Sequence, residues 1–167
     1  ISASASEGTI GREHLMQLLD LVEDSEFVYV LETNGITLGN DQEYVQALSK
    51  YKRLHVRVSI KGDNPELYNE LTGAIPETYE LPYTALRYLI DAGVSCNACL
   101  MSSFSDDDGI TRVQKKLMEI HPGILKSLEI EKITMFPKVV KRLSEKGLKP
   151  INAKRIGTKS RRQSHGV

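Results

Sequence analysis

The polar groups best placed to do chemistry stand at the ends of two apolar runs. In LHVRVSIKG at 54–62, Val56, Val58 and Ile60 alternate with Arg57 and Ser59 before the run closes on Lys61 and Gly62. In FVYVL at 27–31 an apolar run delivers Glu32, Thr33 and Asn34 ahead of Gly35. Two such ends side by side would present a carboxylate, two hydroxyls and an ammonium to one spot, and an ammonium there can bind an anion. Taken alone, a lysine closing a strand, as Lys61 does, is most often just solvated. Glu32 is equally a hydrogen-bond acceptor for a ligand or for Lys61, or half of a surface ion pair. Cys96 and Cys99 form a Cys-x-x-Cys, but residues three apart in a strand point to opposite faces. They read as two small buried hydrophobes, with no metal site expected. Asp106-Asp107-Asp108-Gly109 lacks the ligand spacing and closing glutamate of a calcium loop, and reads as a helix cap. His14, His55, His121 and His165 share no spacing. No nucleophile–base pair or glycine-rich phosphate loop can be assembled.

Those strand ends need a frame. Leu15, Leu18, Leu19 and Val22 fall at i, i+3, i+4 and i+7 and predict a helix over 11–24. A strand over 27–32 follows. Asn40 or Asp41 caps a helix with Tyr44, Val45 and Leu48 inward, ending near Tyr51. After the strand over 54–61, Pro65 opens a short helix that Thr72-Gly73 ends. Pro76 opens a longer helical stretch to Asp91, with Leu86, Leu89 and Ile90 inward, bent or divided by Pro82 and stopped near Gly93. Then come a strand over 94–102, a loop over 104–109, a helix over 110–120, a break at His121-Pro122-Gly123 and a strand over 128–135. A helix over 137–146 and a short strand near 149–152 close the list. Residues 1–6 could be the remnant of another strand. Alternation of this kind predicts an α/β fold with a parallel sheet and right-handed crossovers, and ligands then sit at the carboxyl ends of the strands. Alternation alone leaves open whether the sheet closes into a barrel.

At 167 residues with 40% hydrophobic content, one well-packed domain is the expectation. Acidic and basic residues balance at 22 each, yet five basic residues and no acid follow from Lys154 onward, leaving 17 basic against 22 acidic before it. The expected division is a domain over 1–150 and a basic, poorly ordered tail over 151–167. Five charges give the tail only non-specific, salt-sensitive affinity for nucleic acid, which is not expected as a partner. No run reaches the length of a membrane span and no signal peptide opens the chain, so a cytoplasmic protein is expected.

Five short stretches in order resemble the later part of a radical S-adenosylmethionine (SAM) enzyme core, of the kind related to pyruvate formate-lyase activating enzymes. They are Glu7-Gly8-Thr9-Ile10-Gly11, Leu31-Glu32-Thr33-Asn34-Gly35, Val58-Ser59-Ile60-Lys61-Gly62, Glu66 through Leu71-Thr72-Gly73, and Asp91-Ala92-Gly93-Val94. Each is weak singly, but their order and spacing together are fairly specific. The resemblance implies an incomplete (β/α) TIM-like barrel of roughly five strands holding SAM across its strand ends. Glu7 would stand for the glutamate of a Gly-Gly-Glu-Pro-like turn, although Ser6 and Gly8 replace its neighbours. Glu32, Thr33, Asn34, Ser59 and Lys61 would line the cofactor, with the loop at 104–108 near the ribose or substrate.

The family's Cys-x3-Cys-x2-Cys loop, whose thiolates hold a 4Fe-4S cluster, is absent from these residues. The resemblance therefore implies a cluster only in a longer protein, and no reductive cleavage of SAM by this chain alone. Two alternatives stand beside a truncated radical SAM enzyme. One is a non-catalytic α/β binding or interaction domain, whose bare sheet edge is covered by a partner chain or in a homodimer. The other is an open-sheet enzyme without a cluster. The substrate does not follow from the sequence.

Overall fold

The computed structural model describes residues 2–3, by backbone alone, and residues 7–155. Among these residues five strands form one sheet in the order β1-β2-β3-β4-β5: Ser2–Ala3, Tyr29–Thr33, Leu54–Lys61, Cys96–Met101 and Glu129–Glu131. Every neighbouring pair is parallel. Sequential order means that each crossover moves the chain one place in the same direction, which is the winding of a barrel; an open doubly wound sheet reverses direction partway. The sequence reading of an α/β, TIM-like partial barrel of about five strands is the observed architecture. Of the strand expected over 1–6, Ser2–Ala3 pairs with Val30 and Leu31; the other positions of that stretch lie outside the described residues.

Among the described residues seven α-helices accompany the strands: α1 Arg12–Glu23, α2 Ile36–Asn40, α3 Gln42–Leu48, α4 Pro65–Thr72, α5 Leu81–Asp91, α6 Asp107–Ile120 and α7 Pro137–Glu145. Their starts follow from local chemistry. The Asp41 carboxylate accepts from Tyr44 N at 2.8 Å, the Asn64 side chain from Leu67 N at 2.8 Å, and Asp106 from Gly109 N at 2.7 Å. Each bond satisfies one of the amides that a helix leaves open at its beginning. Pro82 divides the expected long helix: a 3-10 turn over Pro76–Glu80 precedes α5, with the proline in the helix's first turn, where its missing N–H costs no hydrogen bond.

The core lies between the sheet and the helices. Leu31, Val56, Val58, Ile60, Ala98 and Leu100 occupy alternate strand positions and are essentially inaccessible, as are Leu19, Leu38, Leu48, Leu86, Leu89 and Leu117 from the helices. Burial of each such leucine stabilises the fold by roughly 1.5–3 kcal/mol. The other side-chain positions of β3 are only half-buried and end at exposed Lys61, so the sheet turns a polar, open face away from the helices.

Three details depart from expectation. α2 lies between the expected strand and the expected helix, where five residues containing a glycine carry no helical period; it packs on α5 so closely that a Cβ at Gly39 would come within 2.3 Å of the Leu81 carbonyl oxygen. The strand over 128–135 is only Glu129–Glu131. The Glu131 carbonyl oxygen accepts from Ser102 N at 2.9 Å, and Ile133 N turns to Ser103 Oγ at 2.8 Å. No strand forms near 149–152. Ile151 N and Asn152 N instead donate to the Ser103 carbonyl oxygen, and Lys154 makes an isolated parallel bridge to Thr134. Residues 156–167, most of the expected basic tail, lie outside the described residues. Among the described residues no helix is long and apolar enough to cross a membrane.

Beyond β3 the chain is tied to α6. Asp63 is buried, its Oδ1 accepting from Asn64 Nδ2 at 2.6 Å and from Arg112 Nη2 at 3.2 Å. Its Oδ2 lies 1.9 Å from where a Cβ on Gly109 would stand, so a side chain at that position of α6 would have to displace the Asp63 carboxylate.

Candidate functional site

Glu7 braces the end of β2. Its Oε1 accepts from Thr33 Oγ1 at 2.7 Å and Thr9 Oγ1 at 2.5 Å, and its Oε2 accepts from Asn34 N at 2.7 Å. Thr33 Oγ1 in turn accepts from Gly35 N at 3.0 Å, and Asn34 Oδ1 accepts from Ile36 N at 2.9 Å. Every side-chain polar group of this knot is spent on fixing the turn except the Asn34 –NH2, which has no partner among the described residues.

Asn34 also lines a cleft of about 390 Å³ between the end of β3 and α4, together with Ser59, Lys61, Tyr68, Leu71 and Thr72 among others. The size falls within the range of about 300–1,000 Å³ usual for small-molecule sites. Neither the Ser59 hydroxyl nor the Lys61 ammonium has a hydrogen-bond or ion-pair partner among the described residues. The cleft thus offers three unengaged donor groups, one of them charged, beside the apolar wall of Tyr68 and Leu71. Such a surface suits a molecule with a carboxylate or other anionic group next to further acceptors.

Glu32 and Thr33 do not join them. Adjacent strand residues point to opposite faces; Thr33 turns to the buried side and Glu32 to the open one, so these two cannot share a hollow. Nor does Glu32 meet Lys61. Its row partner across the sheet is Arg57, and Arg57 Nη1 donates to Glu32 Oε1 at 2.5 Å. The same guanidinium donates through Nη2 to Glu129 Oε2 at 2.6 Å and to Glu131 Oε1 at 3.1 Å, and to the Cys99 sulfur at 3.2 Å. Three carboxylates on β2 and β5 thus converge on one cation of β3.

The charges respond accordingly. Hydrogen bonds from Arg57 hold the Glu129 carboxyl below the usual glutamate value, with a further bond from Asn97; the same contacts raise the guanidinium further above its already high value. Burial, reinforced by the Glu131 charge, pushes the Cys99 thiol up to about 12. It is a neutral thiol at physiological pH. Cys99, Glu129 and Glu131 present ligand-type atoms within 4.8 Å of one another, but both carboxylates already serve Arg57. Because folding lowers the Glu129 value below the unfolded one, this pairing contributes stability above about pH 4.5 and loses it as the pH falls through the lowered value. Urea midpoints measured from neutral pH into the acid range should therefore fall, and less steeply in Glu129→Gln.

Toward the amino end of the open face the polar chain continues. Asn97 Nδ2 donates to Glu129 Oε1 at 2.8 Å and to the Ser127 carbonyl oxygen at 3.1 Å. This fixes its Oδ1 toward His55 Nε2 at 3.0 Å, while His55 Nδ1 lies 2.8 Å from the Ser95 hydroxyl. As expected, the two cysteines point apart: Cys96 packs against the core and Cys99 meets Arg57. Asp106, first of the three aspartates, is the cap of α6. His14 lies elsewhere, in a hollow beside Glu7.

No family model matches the sequence, and no curated protein matches it. Solved structures do match in fold. The protein anSMEcpe, with bound AdoMet and a Kp18Cys peptide, superposes with a TM-score of 0.60 at 20% identity, covering 78% of this chain and 36% of that one. Its complex with AdoMet and a Cp18Cys peptide gives 0.61, again at 20% identity, over 78% and 37%. Streptococcus suis SuiB bound to S-adenosylmethionine gives 0.52 at 15% identity, over 86% and 34%. The chain thus spans about a third of the length of these proteins. At such identities the likeness establishes the fold: an incomplete TIM-like α/β barrel shared with two proteins solved with S-adenosylmethionine bound.

Proposed function

We propose that this chain is the SAM-binding part of a radical SAM-type enzyme, related to the pyruvate formate-lyase activating enzymes, and that SAM enters the cleft between β3 and α4. The observation that carries this reading is the convergence of Asn34, Ser59 and Lys61 on one cleft with their donors unengaged, in a fold shared with two SAM-bound proteins. The order of the sequence stretches that resemble that family supports it independently. In this reading Lys61 takes the carboxylate of the methionine part, and Ser59 and the Asn34 amide donate to neighbouring acceptors. Glu7 and Thr33 hold the turn that aims Asn34. Glu32 acts one row below, through Arg57.

A 4Fe-4S cluster does not fit these residues. The chain has two cysteines, and they occupy opposite faces of β4, one of them with its thiol held protonated. The reading for this chain is therefore confined to binding, and the reaction belongs to whatever supplies the thiolates.

Calorimetric titration with SAM tests it. The wild-type chain should give saturable heat, and Lys61→Met should weaken binding about tenfold, the effect of losing one charge-assisted hydrogen bond. Absence of saturable binding, or equal binding by Lys61→Met, would overturn the assignment.

A further inference from the structure

β3 carries two cations on its open face, four residues apart, and they are treated very differently. Arg57 engages Glu32, Glu129 and Glu131; Lys61 engages no carboxylate among the described residues. Register alone would not produce this division. Glu131 lies in the same row as Lys61, with only Met101 between them, so their backbones are separated by two strand spacings, roughly 10 Å. An extended lysine and an extended glutamate close such a gap. Glu131 instead leans along the sheet to Arg57 Nη2 at 3.1 Å. A guanidinium can hold it there because its donors form a planar fork: Nη1 serves Glu32, Nε and Nη2 serve Glu129, and Nη2 also reaches Glu131.

We propose that Arg57 is a positioning residue for the cleft: by holding Glu131 it keeps Lys61 unpaired, and so keeps the ammonium free for the anionic group of an entering small molecule. The second half of that statement rests on the binding reading above. The first half, that Arg57 decides whether Glu131 captures Lys61, is tested without any ligand.

The experiment is trace acetylation of the folded chain with acetic anhydride, reading Lys61 by mass spectrometry against exposed Lys138 in the same sample. Arg57→Met should lower Lys61 labelling roughly two- to fivefold, the factor an exposed ion pair exerts. Adding Glu131→Gln should restore it, and Glu131→Gln alone should leave it unchanged. If Arg57→Met does not fold, Arg57→Lys takes its place with the same expected fall, because a point-like ammonium lacks the planar fork that spans Glu32, Glu129 and Glu131 together. Labelling of Lys61 that is indifferent to Arg57, or that rises in Glu131→Gln alone, would overturn the proposal. SAM titrations of the same variants keep the two ideas apart. The expected labelling pattern with no saturable heat from any variant sinks the cofactor reading alone, whereas equal SAM binding by wild type and Arg57→Met sinks the role of Arg57.

Discussion

Gly35→Ala is expected to lower the unfolding free energy by about 2–4 kcal/mol, the sum of a left-handed backbone and an overfilled contact. Gly35 has φ +77°, and a Cβ there would stand 2.8 Å from the Pro82 Cα and 2.9 Å from Val58 Cγ1. One of those atoms is backbone of α5 and the other belongs to a fully buried valine, so neither can give way cheaply. The urea midpoint should drop with an unchanged slope. Gly73→Ala is the matched comparison: φ is +74° but nothing lies within 4 Å of its Cβ position, so only the conformational part, about 1–2 kcal/mol, remains. Equal losses at the two positions would show that the packing of β2's turn against α5 has been misjudged.

Arg57→Met is expected to cost about 2–4 kcal/mol, because it leaves Glu32 and Glu129 without their cation and frees Glu131 to seek another. The guanidinium is only one-fifth exposed while its partners range from one-third to nearly one-half, which places the effect between that of a surface pair and a buried one. Chemical denaturation of Arg57→Met, Glu129→Gln and the double variant measures it. The second substitution should recover part of the loss, giving a coupling that distant, independent sites do not show. Additive losses would mean that the two side chains do not interact. The loss should also shrink in acid, since protonated glutamates need no counter-charge.

The frame of this molecule was legible from short-range chemistry. Pro65 and Gly73 bound α4 where their backbone preferences put them, and the alternation of Val56, Val58 and Ile60 located β3 to the residue. Sequential parallel order followed from the regular succession of helices and strands. The site was legible only in part. Ser59 and Lys61 share a face because they are two apart; the same rule separates Glu32 from Thr33, and applying it strictly would have removed one of them from the hollow. Arg57 escaped as a centre of charge because Glu129 and Glu131 lie more than seventy positions away and meet it only after β4 has been laid between them. Ile36–Asn40 carried no signal at all: its helix exists because Gly39 lets it lie against α5.

Asp63 follows Lys61 by two residues, and its carboxylate fills the space that Gly109 leaves vacant at the start of α6. The segment leaving β3 and the segment leaving β4 are therefore in direct contact, joined also by the Arg112–Asp63 pair at 3.2 Å. A small molecule arriving at this rim meets a wall already set, with little chain entropy left to surrender on association. Its heat-capacity change on binding should then reflect the surface it covers, with no added contribution from backbone becoming ordered.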